Sequence, residues 1–286
     1  MSKRADRGRS TLLPLHAEVF GSEGPPLLLL HGFGTNGFTW SRWIQELSRD
    51  FRVHVVELKG FGHAPKPRDG LYSPADQATL IHHWILQNDL RDLTLVGHSL
   101  GGGVALLTAL SFLHSDPDRI RALAILAGIA YPQPVSRYLR ILGNPLWGPL
   151  LLRLFPSRLV IRTALRKAYH PSHPVSASYV EAYAHLLRFP DGRYVLSRSA
   201  AQFQTPEAMS AIDRYPEMDI PTLLLWGRND PVVPLWVGER LAVDLPRARL
   251  EVLEDCGHMP QEEAPQEALE HLLPFLSETA GKAGGG

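Results

Sequence analysis

The chain has one cysteine, no excess of either charge and no apolar run long enough to cross a bilayer. The lone Cys256 cannot close an internal disulfide, so the fold needs no oxidising compartment. Lys+Arg 29 against Asp+Glu 29 leaves a formal net charge of zero, so no global field favours nucleic acid or an anionic membrane. The longest apolar run near the start, Leu27 to Leu30, falls far short of the roughly 20 residues a membrane helix needs. Met1 to Ser10 is basic and polar, with no apolar signal core behind it. These absences point to a cytoplasmic protein with no nucleic acid partner and no membrane span. What is present is 286 residues with 44% hydrophobic content, enough for one large core or two smaller ones.

The apolar runs and helical patterns alternate. Leu13, Leu15, Ala17 and Val19 alternate with polar neighbours, as in a strand with one buried face. Leu27 to Leu30 and Phe51 to Val56 read as strands buried on both faces. Trp40 to Leu47 is a candidate first helix. Ser73-Pro74-Ala75-Asp76 opens a second that runs to about Gln87, with proline at its first position. Leu93 to Val96 and Ala122 to Leu126 are further strands, and Gly103 to His114 is helical. This rhythm argues for a parallel sheet covered on both faces. It breaks after about Ala130. Between 131 and 216 there are helical stretches near 135–142, 150–155, 157–169, 176–187 and 193–203, and no strand pattern. The rhythm resumes with Pro221 to Gly227, a helix at Trp236 to Val243, a strand at Ala248 to Leu253 and a helix from about Gln266 to Leu276. The expectation is an α/β core from 12–130 and 217–278, an inserted helical cap at 131–216, and flexible termini at 1–11 and 279–286.

The stretch that organises the chain is Val96-Gly97-His98-Ser99-Leu100-Gly101-Gly102, where a strand meets a helix inside Gly-x-Ser-x-Gly. At so tight a turn, side chains beside the serine would clash with strand and helix. Gly97 and Gly101 remove the clash and leave Ser99 exposed as a nucleophile. A serine hydroxyl needs a base, and the base needs an orienting acid. Asp230, in Trp226-Gly227-Arg228-Asn229-Asp230-Pro231, and His258, in Asp255-Cys256-Gly257-His258-Met259-Pro260, each follow a buried strand and can reach the same sheet edge. The order Ser, Asp, His is the one expected on such an elbow. Asp255 is a rival acid in the same loop as His258. The oxyanion donors would be the Leu100 N–H at the helix start and the Phe33 N–H of the His31-Gly32-Phe33-Gly34 turn, where His31 anchors the loop. His98 is expected to point away from Ser99 as a packing residue. His82 and His83 diverge on a helix and carry no ligand pattern, so no metal site is expected.

One stretch competes with this reading. Gly32 to Gly37 also matches the dinucleotide fingerprint G-x-G-x-x-G, and Glu57 falls about twenty residues later, where a ribose-binding acid belongs. A dinucleotide-binding oxidoreductase would explain the first 60 residues but leave Ser99, Asp230 and His258 idle.

With those motifs in hand, the chain resembles the serine hydrolases of the α/β-hydrolase fold from about Leu12 to Leu276. The resemblance rests on HGFG at 31–34, GFG at 60–62, GHSLGG at 97–102, WGRNDPVVP at 226–234 and CGHMPQEEAP at 256–265. It implies Ser99 as nucleophile, Asp230 as acid, His258 as base, Phe33 and Leu100 as oxyanion hole, and 131–216 as a lid or cap. Relatives often carry Asp and Gly-x-Gly-x-Ser where this chain has Glu57 and Gly60-Phe61-Gly62-His63, a departure confined to a structural loop. Epoxide hydrolases and haloalkane dehalogenases of this fold use an aspartate nucleophile, so Ser99 argues against both. Carbon–carbon bond hydrolases usually carry HGxGPG, from which Thr35-Asn36 departs. The resemblance therefore implies cleavage of small to medium apolar esters without a cofactor, with a carbon–carbon hydrolase or an acyltransferase as alternatives. Trp147, Val232 and Met259 are the candidate substrate-binding residues, with Leu150, Leu151 and Phe155 adding to a greasy pocket.

Overall fold

A computed structural model describes residues 13–134 and 136–281. Residues 1–12 and 282–286, which include the expected flexible N-terminus, lie outside the described residues. Seven strands form one sheet: β1 (Ala17–Phe20), β2 (Pro26–Leu30), β3 (Arg52–Val56), β4 (Leu93–His98), β5 (Ile120–Leu126), β6 (Thr222–Gly227) and β7 (Ala248–Leu253). Their order is β1-β3-β2-β4-β5-β6-β7, antiparallel only between β1 and β3. Leu28 pairs with His54 on one side and Leu95 on the other, and Val96 pairs with Ala124. The chain steps from β2 outward to β3, then returns to the other side of β2 with β4. That reversal opens a crevice beyond the C-terminal ends of β2 and β4, where open α/β sheets hold their ligands.

The leucine run of β2 has to be buried on both faces because successive side chains point to opposite sides. Leu28 and Leu30 pack with α2 (Pro74–Gln87) and α3 (Leu100–Phe112), through Ile81, Trp84, Val104 and Leu106. Leu27 and Leu29 pack on the other face with Leu47 of α1 (Ile44–Leu47) and with Leu269, Leu272 and Leu276 near the chain's end. Helix α2 begins as its residues demand: Ser73 and Asp76 form a reciprocal capping box around Pro74.

Among the described residues six helices lie between β5 and β6: α4 (Arg137–Gly143), α5 (Trp147–Leu154), α6 (Ser157–Ala168), α7 (Ala177–Leu187), α8 (Pro190–Ala200) and α9 (Pro206–Ser210). A 3₁₀ segment, Ile212–Glu217, leads back to the sheet. Helices α10 (Leu235–Asp244), α11 (Pro260–Glu263) and α12 (Pro265–Ala280) complete the chain.

Several boundaries differ from those read in the sequence. The expected helix over Trp40 to Leu47 is a 3₁₀ turn, Gly37–Trp40, followed by the short α1. The Asn36 side chain caps the Phe38 N–H and starts the turn early. The β1 ladder holds only four residues of the alternating run from Leu13. Helix α8 starts at Pro190, because proline suits the first helical turn, and stops at Ala200. Thr279 and Ala280, expected in the flexible tail, belong to α12, where the Thr279 hydroxyl donates to the Phe275 carbonyl at 2.9 Å. Neither α9 nor α11 was legible in the periodicity, since each is about one turn long. Among the described residues no helix is long and apolar enough to cross a membrane.

Candidate active site

Ser99 sits between β4 and α3 with φ 53° and ψ −114°, a left-handed conformation that costs a non-glycine residue energy. The turn is tolerated because Gly97 and Gly101, two positions to either side, have no side chains. A Cβ on Gly97 would fall 2.3 Å from the Gly101 carbonyl, and one on Gly101 would fall 2.2 Å from the Leu30 carbonyl. The Ser99 amide donates to the Leu126 carbonyl at 2.9 Å, and its carbonyl accepts from the Ile129 amide, so β5 holds the elbow from the side.

His258 follows β7 and Asp230 follows β6. The ring of His258 lies with Nε2 2.9 Å from Ser99 Oγ and Nδ1 2.8 Å from Asp230 Oδ2. All three residues are buried. The other carboxylate oxygen of Asp230 accepts the Val232 and Val233 amides at 2.7 and 2.9 Å, which fixes the carboxylate plane. With Nδ1–H donating to this carboxylate, Nε2 is left as the acceptor that can take the serine proton. Asp255 is exposed, at φ 49°, and no part of this chain of bonds.

The turn that carries Phe33 lies close to Ser99. A Cβ on Gly32 would meet Ser99 Cβ at 3.2 Å and His98 Nδ1 at 2.7 Å, so the turn after β2 lies directly against the serine. His31 anchors it, accepting the Leu58 amide through Nε2 at 3.1 Å. Burial holds the His31 imidazole below its ordinary pKa, consistent with that acceptor role. Among the described residues neither the Phe33 nor the Leu100 amide has an acceptor, which suits donors waiting for a charge to develop.

His98, read in the sequence as a packing residue, does more than fill space. Its Nε2 donates to the His258 carbonyl at 2.8 Å, and burial together with the neighbouring His258 ring keeps its pKa well below the ordinary value. Two residues not singled out in the sequence, Glu262 and Glu263 of α11, follow the same loop, and Glu263 holds it. Glu263 accepts the Gly257 and Met259 amides, on either side of His258, at 3.0 and 2.8 Å, and the His170 amide at 2.7 Å. Glu262 accepts the hydroxyls of Thr39 and Tyr183 at 2.5 Å each, and that of Tyr169. Burial outweighs these three bonds and raises its pKa to about 7. The His258 amide donates to the Ala168 carbonyl at 2.8 Å, so the helical layer is tied to the histidine loop. The signal for both glutamates was their position four and five residues past His258, ahead of Pro265.

A cavity of about 670 Å³ opens over Ser99 and His258. Phe33, Val232 and Met259 line it, with Leu139, Leu142, Ile161, Leu165 and Leu196 from the helical layer. Trp147 does not. Its place on α5 is set by its neighbours Gly148 and Leu152, which face inward; a Cβ on Gly148 would fall 2.0 Å from the Leu142 carbonyl. One residue away, Trp147 is turned outward and is 59% exposed. Leu150 and Phe155 are exposed as well, and with Leu151 they are absent from the cavity wall. Glu57 is also not where the dinucleotide reading needs it. It is buried, and its carboxylate accepts the Gly37 and His63 amides instead of facing a ligand. Its closeness leaves no room for a Cβ at Gly62, where φ is 47°. No cluster of metal-ligating side chains occurs among the described residues.

The chain matches the family model described as alpha/beta hydrolase fold over residues 25–265, and it belongs to that family. It is 31% identical over 251 residues to a pimeloyl-[acyl-carrier protein] methyl ester esterase of Vibrio campbellii, covering 86% of this chain and 92% of that one. A 2-hydroxymuconate semialdehyde hydrolase of Pseudomonas sp. strain CF600 is 28% identical over 265 residues, 89% of this chain and 85% of that one. Among solved structures, an esterase of Thermogutta terrifontis superposes with a TM-score of 0.77 at 24% identity, covering 94% of each chain, a likeness of fold.

Proposed function

We propose that the protein is a serine hydrolase that cleaves carboxylic esters of small to medium apolar acyl chains through an acyl-enzyme. The observation that carries the reading is the bonded sequence Ser99–His258–Asp230 at 2.9 and 2.8 Å, beside two backbone amides without acceptors. In this reading Ser99 Oγ attacks the ester carbonyl while His258 Nε2 takes its proton. The Phe33 and Leu100 amides hold the oxyanion, and Asp230 stabilises the imidazolium. The intermediate collapses as His258 protonates the leaving alkoxide, which departs as the alcohol. His258 then draws a proton from water, which attacks the acyl-Ser99 carbonyl and releases the acid. Every proton is handled by the chain itself, so the reading invokes no cofactor and no metal. The helices between β5 and β6 act as the cap that shapes the acyl site.

The apolar wall of the cavity supports an acyl or aryl substituent over a charged one. The methyl ester esterase among the relatives supports ester cleavage. The semialdehyde hydrolase among them keeps carbon–carbon cleavage as the second reading. A fluorophosphonate probe should label Ser99 in the wild type and leave Ser99→Ala unlabelled. Parallel assays with p-nitrophenyl esters from acetate to dodecanoate, and with a vinylogous diketone, separate the two readings. Turnover of the diketone alone would overturn ester cleavage.

A further inference from the structure

The zero net charge of the chain hides an uneven distribution. From Arg119 to Val180 there is no Asp or Glu, while 131–180 carries six arginines and one lysine. All seven cations are exposed. Arg158 pairs with Glu181, and Lys167 lies over the Tyr138 ring. Among the described residues Arg137, Arg140, Arg153, Arg162 and Arg166 form no ion pair. The cationic segment is α4, α5 and α6, three helices of the layer above the cavity.

The same helices expose large apolar side chains. On α5, Trp147, Leu150 and Leu154 stand at i, i+3 and i+7 and so share one face, which is turned to solvent. Gly148 and Leu152 supply the inward face. Helix α5 is therefore apolar on both sides, a pattern that in water is stable only where something covers the outer side. Leu146, 78% exposed, and Phe155 are exposed at either end of the helix, and Ile141 of α4 and Leu159 of α6 are exposed on the helices next to it in the chain.

We infer that this face docks on an anionic phospholipid surface, with Trp147, Leu154 and Phe155 entering the acyl boundary and the unpaired arginines meeting lipid phosphates. Exposed tryptophan, leucine and phenylalanine on and beside α5, with unpaired arginines on α4, α5 and α6, match the composition of helices that lie in a membrane interface. Charge argues against a second copy of the chain as the occupant, because a two-fold contact would bring one uncompensated cationic face against another. The apolar content argues against an acidic protein, since interfaces between separately folded proteins are no more apolar than ordinary surface. The docked face is also continuous with the site: α4 and α6 supply Leu139, Leu142, Ile161 and Leu165 to the cavity wall. A lipid-partitioned substrate would meet the cavity without crossing bulk water.

The test is flotation of the full chain with phosphatidylcholine vesicles, with and without about one part in three phosphatidylglycerol. The wild type should bind the anionic vesicles at least about tenfold more tightly, with the preference falling as salt rises. Arg153→Gln/Arg162→Gln/Arg166→Gln should weaken anionic binding by something on the order of a hundredfold, at about fivefold per charge. Leu154→Ser/Phe155→Ser should lose binding at every salt concentration while hydrolysing a short soluble ester within about twofold of wild type. Trp147 should be quenched by brominated lipid in the wild type, and Trp147→Phe should lose that signal. Equal binding to neutral and anionic vesicles, or flotation unchanged by Leu154→Ser/Phe155→Ser, would overturn the inference. So would a wild type that ignores vesicles and either dimerises at low concentration or is retained on an immobilised acyl carrier protein. Flotation reads the surface alone, so its outcome stands apart from whether the ester reading holds.

Discussion

The sheet and the helical layer above it both carry leucine-rich stretches, yet they use them differently. In the sheet, Leu27 to Leu30 alternate between two covered faces, and each residue has one place to go. In the layer, α5 carries apolar side chains on two opposite faces, and only Gly148 and Leu152 are held inside. Ser99, Asp230 and His258 stand just beyond the C-terminal ends of β4, β6 and β7, strands held in register by the ladders of the sheet. The cavity wall and the exposed apolar face belong to the layer. A rigid sheet can hold three side chains within hydrogen-bond range, while a layer of short helices can be reshaped without disturbing them. Changes to the two regions should therefore fail in different ways.

The largest effect should come from the sheet edge. Ser99→Ala and His258→Ala should each lower kcat by about 10⁴- to 10⁶-fold, and the double variant should be little worse, because both act on one proton transfer. Asp230→Asn should cost about 10⁴-fold by favouring the wrong tautomer, whereas Asp255→Asn should stay within about twofold. Steady-state kinetics on one soluble ester measures all five; a dead Asp255→Asn beside an active Asp230→Asn would reassign the acid.

Next comes the seam between the regions. Glu263→Ala leaves the Gly257 and Met259 amides buried without that acceptor, and the part-buried His170 amide as well, and should destabilise the fold by about 3 kcal/mol in urea titrations. It should also lower kcat with little change in KM, since the His258 loop loses its support.

Within the layer, Leu165→Ala enlarges the cavity wall and should move the preferred acyl chain longer, with about tenfold change in relative kcat/KM across a p-nitrophenyl series. Trp147→Ala should leave that profile unchanged, because Trp147 is outside the cavity. A shift in the Trp147→Ala profile would return that residue to the acyl site.

The smallest effect is a pH dependence. Glu262 has a folded pKa raised to about 7, above its unfolded value, so the native state holds its proton over a range where the unfolded state has lost it. Its contribution to stability is complete below the unfolded pKa and is lost as pH rises through about 7. His54, buried with its pKa lowered to about 4, acts in the opposite sense, adding stability as pH rises toward its unfolded value. Glu262→Gln removes only the first effect. The melting temperature of the variant minus that of the wild type should therefore increase by about 5 °C between pH 5 and 8. A flat difference would mean that Glu262 is charged throughout.

Local chemistry made most of the core legible. The Gly-x-Ser-x-Gly turn, the capping box at Ser73 and the doubly buried leucine run act over a few residues, so the sequence alone locates the elbow, α2 and β2. The same short-range logic singled out Ser99, Asp230, His258, Phe33 and Leu100. Periodicity was enough to expect a helical segment at 131–216, because a turn of helix has its own spacing.

Which way those helices face was decided only by the tertiary structure. A helix with apolar residues on two faces has no inward side until its neighbours choose one. For α5 the choice fell to Gly148, the one residue small enough to lie against the Leu142 carbonyl. Trp147 was then left outside. The same holds for Glu262, whose partners Thr39, Tyr169 and Tyr183 come from three other segments, and for Ser99 and His258, which are 159 residues apart and meet only because β2, β4, β6 and β7 end on one edge. Short-range forces set the elements and their ends, whereas contacts across such separations exist only after the sheet has closed.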